Sequence, residues 1–513
     1  MRKLLILAMC FSTTIVLAQN DDAAAKYAGN ITPSALKEKL SVLASADMEG
    51  RETATPGQKK AAAYIEEQFK KFGLKPGNGN SYQQTYPVYQ DALTTKSLLV
   101  NCRSFEWDKD FTYQANAMVS GNTKVNNIVF AGFGLDDAAN KINDYAGLDV
   151  KGKLVLVVEG LPETHPAAKT AATRTSPGSA FAKTNIARNK GAIGIIIVSK
   201  DFPKKMQTPT VGNMYLNKIN STSNFIVANV SLEVASAMLG RTSTLNIAQI
   251  NDVVKTTYVA EINVNIEKTT AELESSNVIA VLPGTDKKDE YVFLTGHYDH
   301  LGKRGDVIWY GADDDGSGST AVLQMAEAFS KTKGKAKPRR TIVFMTVSGE
   351  EKGLWGSQYY SEHPIFPLEK TSVDLNTDMV GRLDTERKTA DSLNYIYVIG
   401  HDKLSSELPI INEAVNNKYT KLTLDYKYDD PKDQNRIYYR SDHYNFARKG
   451  VPILFFYDGM LLADYHQPSD TVDKINFDLM AKRTKLVFHT AWVMANQDNM
   501  LKRDTPLNMP SNW

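Results

Sequence analysis

Residues 291–302 read YVFLTGHYDHLG. The run Tyr291–Thr295 is apolar and rich in β-branched and aromatic side chains, and it stops at a glycine. Three ligand-type side chains, His297, Asp299 and His300, follow at once. A run with no polar face to offer water predicts a strand buried on both sides, as in an α/β sheet covered by helices. The flanking sequence repeats the pattern in NVIAVL (277–282), TIVFMTVS (341–348), NYIYVIG (394–400) and VPILFFY (451–457), with the helical STAVLQMAEAFSK (319–331) among them. The expected fold class is therefore α/β, a mixed and mostly parallel sheet flanked by helices. In open sheets of this kind chemistry collects beyond the carboxyl ends of the strands, so the residues after each run matter most.

Five segments place acids or histidines there. Besides GHYDHLG they are GADDDGSG (311–318), SGEEKGLWGS (348–357), VDLNTDMVG (373–381) and DYHQPSDT (464–471). Each alone has an ordinary explanation: Asp and Gly make turns, helix N-termini favour carboxylates, and paired glutamates usually face water. Their joint recurrence after buried strands favours a cation site. Carboxylates and imidazoles without thiolates suit zinc, with manganese or cobalt as substitutes, whereas an all-oxygen calcium cage has no need of histidine. The ligands are too many for one tetrahedral catalytic zinc. Two metals about 3.5–4 Å apart, sharing a carboxylate and a water, use the whole set.

The composition is bland. The 513 residues are 42% hydrophobic with a formal charge of +2, and no dense basic run points to nucleic acid or a membrane surface. Arg2 and Lys3 precede LLILAMCFSTTIVLA, and small residues end at Ala18, which predicts a signal peptide over 1–18, export to the periplasm or outside the cell, and no lasting membrane insertion. Loss of that leader removes Cys10 and leaves Cys102 as the single thiol, in LLVNCRSF, where a buried strand position is expected. Thr32-Pro33 opens a helix, a second is expected over 58–72, and a closing helix ends the chain. Between them, short β-like runs from NNIVFAGFG to GAIGIIIVS, a helix AFAKTNIARNKG, and further short strands and loops over 208–251 carry no clustered ligands. The expected organisation is a first part of the catalytic domain over 19–119, an inserted β-rich, non-catalytic domain over 120–270, and the main catalytic part over 271–513.

The stretch LASADMEGRETATPGQKKAAAYIEEQFKKFGLKP with GHYDH, GADDDGSG, SGEEKGLWGS, NTDMVG and YHQPSDT, in this order, resembles the M28 family of zinc aminopeptidases. The inserted block, with DYAGLDVKGKLVLVVEG and NKGAIGIIIVS, is similar to a protease-associated (PA) domain. The first resemblance implies peptide substrates and two zinc ions, with His297 and Asp378 on one metal, Glu351 and His466 on the other, and Asp314 bridging. It further implies Glu350 as general base, Asp299 orienting the His297 ring, and Tyr465 donating to the developing oxyanion. Asp313 and Asp315 are expected to support the loop through backbone hydrogen bonds. Arg440, Asp442 and His443 are either pocket residues or local packing, and His300 either approaches the metals or caps its loop. Carboxypeptidase and glutaminyl-cyclase relatives share the scaffold, and a binding homologue without catalysis is the alternative outside the enzymes. The oligomeric state is left open by the sequence.

Overall fold

The computed structural model describes residues 21–114, 120–170, 173–217, 225–390 and 393–509. The expected leader, 1–18, lies outside them. The chain divides into two compact units, one made of residues up to 87 together with 274 onward, the other of 88–273. Residues 88–119, assigned from sequence to the catalytic part, thus group with the inserted block. Their strands explain it: Gln83–Val100 pairs with Val211–Tyr215 and Arg103–Phe105, and Phe111–Tyr113 pairs with Ile226–Val230.

The first unit is built on a sheet that includes β1 (Thr257–Leu282, through its last residues), β2 (Lys287–His297), β3 (Arg340–Val347), β4 (Thr371–Thr377), β5 (Tyr395–Ile399), β6 (Thr423–Asp425) and β7 (Ile453–Tyr457). Their order across the sheet is β6-β5-β7-β4-β2-β3-β1. The pairs β2–β3, β2–β4, β4–β7 and β5–β6 are parallel, and β1–β3 and β5–β7 antiparallel. Every residue of β3, β4, β5 and β7 is buried, as the apolar runs of β3, β5 and β7 predict; β4 (TSVDLNT) is buried despite its polar residues. Helix α1 (Gly316–Ser330) covers one face and is itself almost wholly buried, while α2 (Phe477–Asn496) packs beside it, Phe329 lying 4.3 Å from Phe488 between ring centroids. The N-terminal helices Pro33–Leu43 and Pro56–Lys71 join the same core through Leu36, Leu40, Leu43, Ile65 and Phe69. Thr32 caps the first of them, its hydroxyl accepting from Ala35 N at 3.2 Å.

In the second unit Gly121–Phe130, Leu154–Val158, Gly194–Val198 and Ile226–Val230 run parallel as neighbours. The helix Ala180–Asn189 forms where expected, but 208–251 also holds two short helices, Leu232–Met238 and Ile247–Asn251, each opened by a capping side chain, Ser231 and Asn246. Cys102 is exposed rather than buried. The apolar strand ends at Val100, and Asn101 and Cys102, with φ of +50° and +62°, form the two-residue turn into Arg103.

Candidate metal centre

Because β2, β3, β4 and β7 are parallel neighbours, their carboxyl ends meet on one edge of the sheet. His297 ends β2, Glu350 and Glu351 follow β3, Asp378 follows β4, and Tyr465 and His466 lie in the loop after β7. The loop before α1 brings Asp313, Asp314 and Asp315 to the same edge.

Asp314 stands between two clusters. Its Oδ1 lies 3.3 Å from His297 Nε2, which is also 3.6 Å from Asp378 Oδ1 and 3.8 Å from Glu350 Oε2. Its Oδ2 lies 3.1 Å from His466 Nε2, which is 3.1 Å from Glu351 Oε2. His300, fully buried, joins the second cluster, with Nδ1 2.7 Å from Glu351 Oε1 and 4.0 Å from Asp314 Oδ2. His297 Nε2, both ring nitrogens of His300, Asp314 Oδ2 and Glu351 Oε1 are buried without hydrogen-bond geometry to any partner, close approaches included. Such a loss is costly unless a cation takes up the lone pairs. This donor set of imidazoles and carboxylates fits zinc. Another group, His401, Asp402 and Asp429, does not: Lys403 Nζ sits 2.6 Å from Asp402 and 2.8 Å from Asp429, so an ammonium already supplies the charge.

Electrostatics follow the crowding. Burial pushes the Glu350 carboxyl well above the usual range, His297 opposing and Glu351 and Asp378 adding to it. Burial would raise the Asp314 carboxyl, but the neighbouring His297, His466 and His300 imidazoles hold it well below that range. His466 is raised to about 10 against burial by Asp314 and Glu351.

The remaining aspartates act on the backbone. Asp315 caps α1, its Oδ1 accepting from Gly318 N at 2.7 Å and Met379 N at 3.0 Å and its Oδ2 from His297 N at 3.1 Å. Asp313 Oδ1 accepts from Gly381 N at 2.9 Å. Asp470, in the DYHQPSDT stretch, accepts from the amides of Asp313 and Asp314 at 3.0–3.2 Å. Gly318 is required by contact: a Cβ there would lie 2.1 Å from Thr377 O. Asp299 Oδ1 faces His297 Nδ1 at 3.7 Å, and the backbone carbonyl of Asp299 lies 3.2 Å from the same nitrogen.

A small cleft opens beside Asp314, Glu350 and Asp378, walled by Met379, Ile437, Phe455, Leu461, Tyr457, Tyr465 and Arg440. Arg440 Nη2 donates to Tyr465 Oη at 2.9 Å, and the Tyr465 ring stacks on His466 at 3.9 Å. Asp442 and His443 pack locally instead. Asp442 accepts from Ser357 Oγ at 2.5 Å, and burial lowers the pKa of His443, bonded to Tyr438 O, to about 3.

Helices thus cover a mostly parallel sheet, and a carboxylate–imidazole cluster lies at its strand ends. Residues 277–491 match the model of peptidase family M28. A probable zinc metalloprotease of Pyrenophora tritici-repentis is 28% identical over 274 residues, spanning 45% of this chain and 53% of that protein. A probable leucine aminopeptidase of Arthroderma otae is 29% identical over 235 residues, spanning 45% and 60%. The matches thus reach little more than half the length of these relatives. In fold the chain is similar to an aminopeptidase from Aneurinibacillus sp. strain AM-1, with a TM-score of 0.54 and 20% identity over 96% of this chain and all of that one. A zinc aminopeptidase from Bacillus subtilis gives 0.52 and 20% over 94% and 99%.

Proposed function

We propose that the protein is an exported metallo-aminopeptidase that removes N-terminal residues from peptides at a centre of two zinc ions. The observation that carries this reading is the placement of Asp314, whose two oxygens face separate histidine–carboxylate clusters. His297 and Asp378 would hold one ion, His466 and Glu351 the other, and Asp314 both; His300 is close enough to Glu351 to join the second. Zinc, when bound, supplies a Lewis acid that polarises the scissile carbonyl and makes water more acidic. Glu350, at the cleft and raised in basicity, takes the water's proton and returns it to the departing amine. Tyr465, fixed by Arg440 and by the His466 ring, donates its hydroxyl hydrogen toward the oxyanion.

The acidic floor attracts a free α-ammonium, and the wall of Met379, Ile437, Phe455 and Leu461 suits an apolar first side chain. The inserted unit is proposed to be a PA-like domain, and 1–18 a leader that directs export; among the described residues no helix is long and apolar enough to cross a membrane. The test is a panel of free and N-acetylated peptides assayed with and without chelator. Free peptides should be cleaved from the first residue and only with metal present. Equal cleavage of acetylated peptides would sink the aminopeptidase assignment.

A further inference from the structure

The ligand-type residues all lie within 297–466, yet the shell behind them draws on a segment far earlier in the chain. Thr53, fully buried, donates from Oγ1 to Asp299 Oδ2 at 2.6 Å across 246 residues of sequence. The other oxygen, Asp299 Oδ1, accepts from Glu350 N at 3.2 Å and faces His297 Nδ1. The same segment pairs through its backbone with the loop after β2: His300 N donates to Arg51 O at 3.2 Å and Gly302 N to Gly50 O at 2.9 Å. Gly50, at φ +67°, lies so close that a Cβ would stand 2.3 Å from Gly302 O. Arg51 is buried and sends hydrogen bonds of 2.7–2.8 Å to the carbonyls of Leu43, Tyr298, Tyr310 and Gly311, tying the loop after β2 to the loop before α1.

We propose that Gly50–Thr53 is a strap that sets the geometry of the metal centre, and that Thr53 is a positioning residue acting through Asp299 on His297. A carboxylate held at one oxygen can swing about its Cβ–Cγ bond. With Thr53 on Oδ2 and Glu350 N on Oδ1, the carboxylate is held at both ends, and Oδ1 stays turned to the imidazole. Orientation of a ligating histidine by such a partner governs how tightly the metal is held. The strap lies outside the matched M28 segment, so the centre is completed by residues that the family match does not include.

The inference rests on His297 being a metal ligand, and the test separates the two. The full chain is stripped of metal, and zinc affinity is measured by competition with a chromophoric chelator. Thr53→Val keeps the shape but leaves Oδ2 buried and unpartnered, and it should weaken zinc binding about tenfold. Thr53→Ser restores the hydroxyl and should come within about twofold of the wild type. The visible spectrum of the cobalt-loaded protein should change in Thr53→Val and not in Thr53→Ser. Wild-type affinity in Thr53→Val, or equal loss in both variants, overturns the strap alone. A wild-type chain that takes up no zinc overturns the metal centre and the strap with it.

Discussion

The three consecutive aspartates divide into distinct duties, and each gives a separate expected outcome. Asp314 is the carboxylate shared by both clusters, so Asp314→Ala should abolish metal binding and turnover together, read by metal analysis and peptide hydrolysis. Asp315 instead satisfies three buried amides, those of His297, Gly318 and Met379. Asp315→Ala leaves them without an acceptor and should destabilise the fold by on the order of 3 kcal/mol or more, measured by denaturant unfolding. Glu350→Gln should retain zinc while lowering kcat by about 10²–10⁴, the range of a lost general base. Tyr465→Phe should lower kcat by about 10² with KM little changed, since the oxyanion exists only after attack. Equal losses in kcat and metal content for either of these two would place the residue among the ligands instead.

At the scale of elements, Lys183 in the helix Ala180–Asn189 offers a pH test of the second unit. Its ammonium is buried, has no carboxylate in ion-pair range among the described residues, and donates to Val158 O and Gly160 O, and burial lowers its pKa to about 7. The folded pKa lies below the unfolded one, so between about 7 and 10.5 the unfolded chain binds the extra proton. Stability from this group therefore rises as pH increases through that window. Lys183→Met should flatten the rise, seen by comparing melting temperatures of the two proteins at neutral and alkaline pH.

The same scale shows what the sequence could express. The strands β3, β5 and β7 were legible because burial on both faces leaves an apolar run, and the candidate ligands follow such runs in sequence because parallel neighbours share one carboxyl edge. The turn at Cys102 was not, since an apolar run does not record where two residues adopt positive φ. Thr53, Arg51 and Asp470 were not either. Their partners lie far away in sequence, and a threonine, arginine or aspartate in a loop reads equally well as solvated surface. His300 gave a faint signal, a second imidazole three residues after His297, but its approach to Glu351 depends on how two loops fold.

For the whole molecule, the buried polar atoms of His297, His300, Asp314 and Glu351 that lack hydrogen bonds would couple folding to a cation held there. Anything that binds only the native state stabilises it by mass action. Chelation should therefore raise hydrogen exchange around 296–318 and 347–351, and zinc should restore protection. The strands Leu154–Val158 and Gly194–Val198, which hold none of these ligands, should exchange alike with and without metal. Equal deprotection in those strands would contradict the confinement of the proposed ligands to the first unit.

The pairing of residues 50–53 with 300–302 bears on how the molecule can be cut. A fragment trimmed to the matched segment, 277–491, would keep every proposed ligand and still lack the buried arginine and threonine that brace their loops. Expressed alone, such a fragment is expected to be insoluble or blind to zinc. A minimal active form would have to carry the first helices as well, joined across the excised insert.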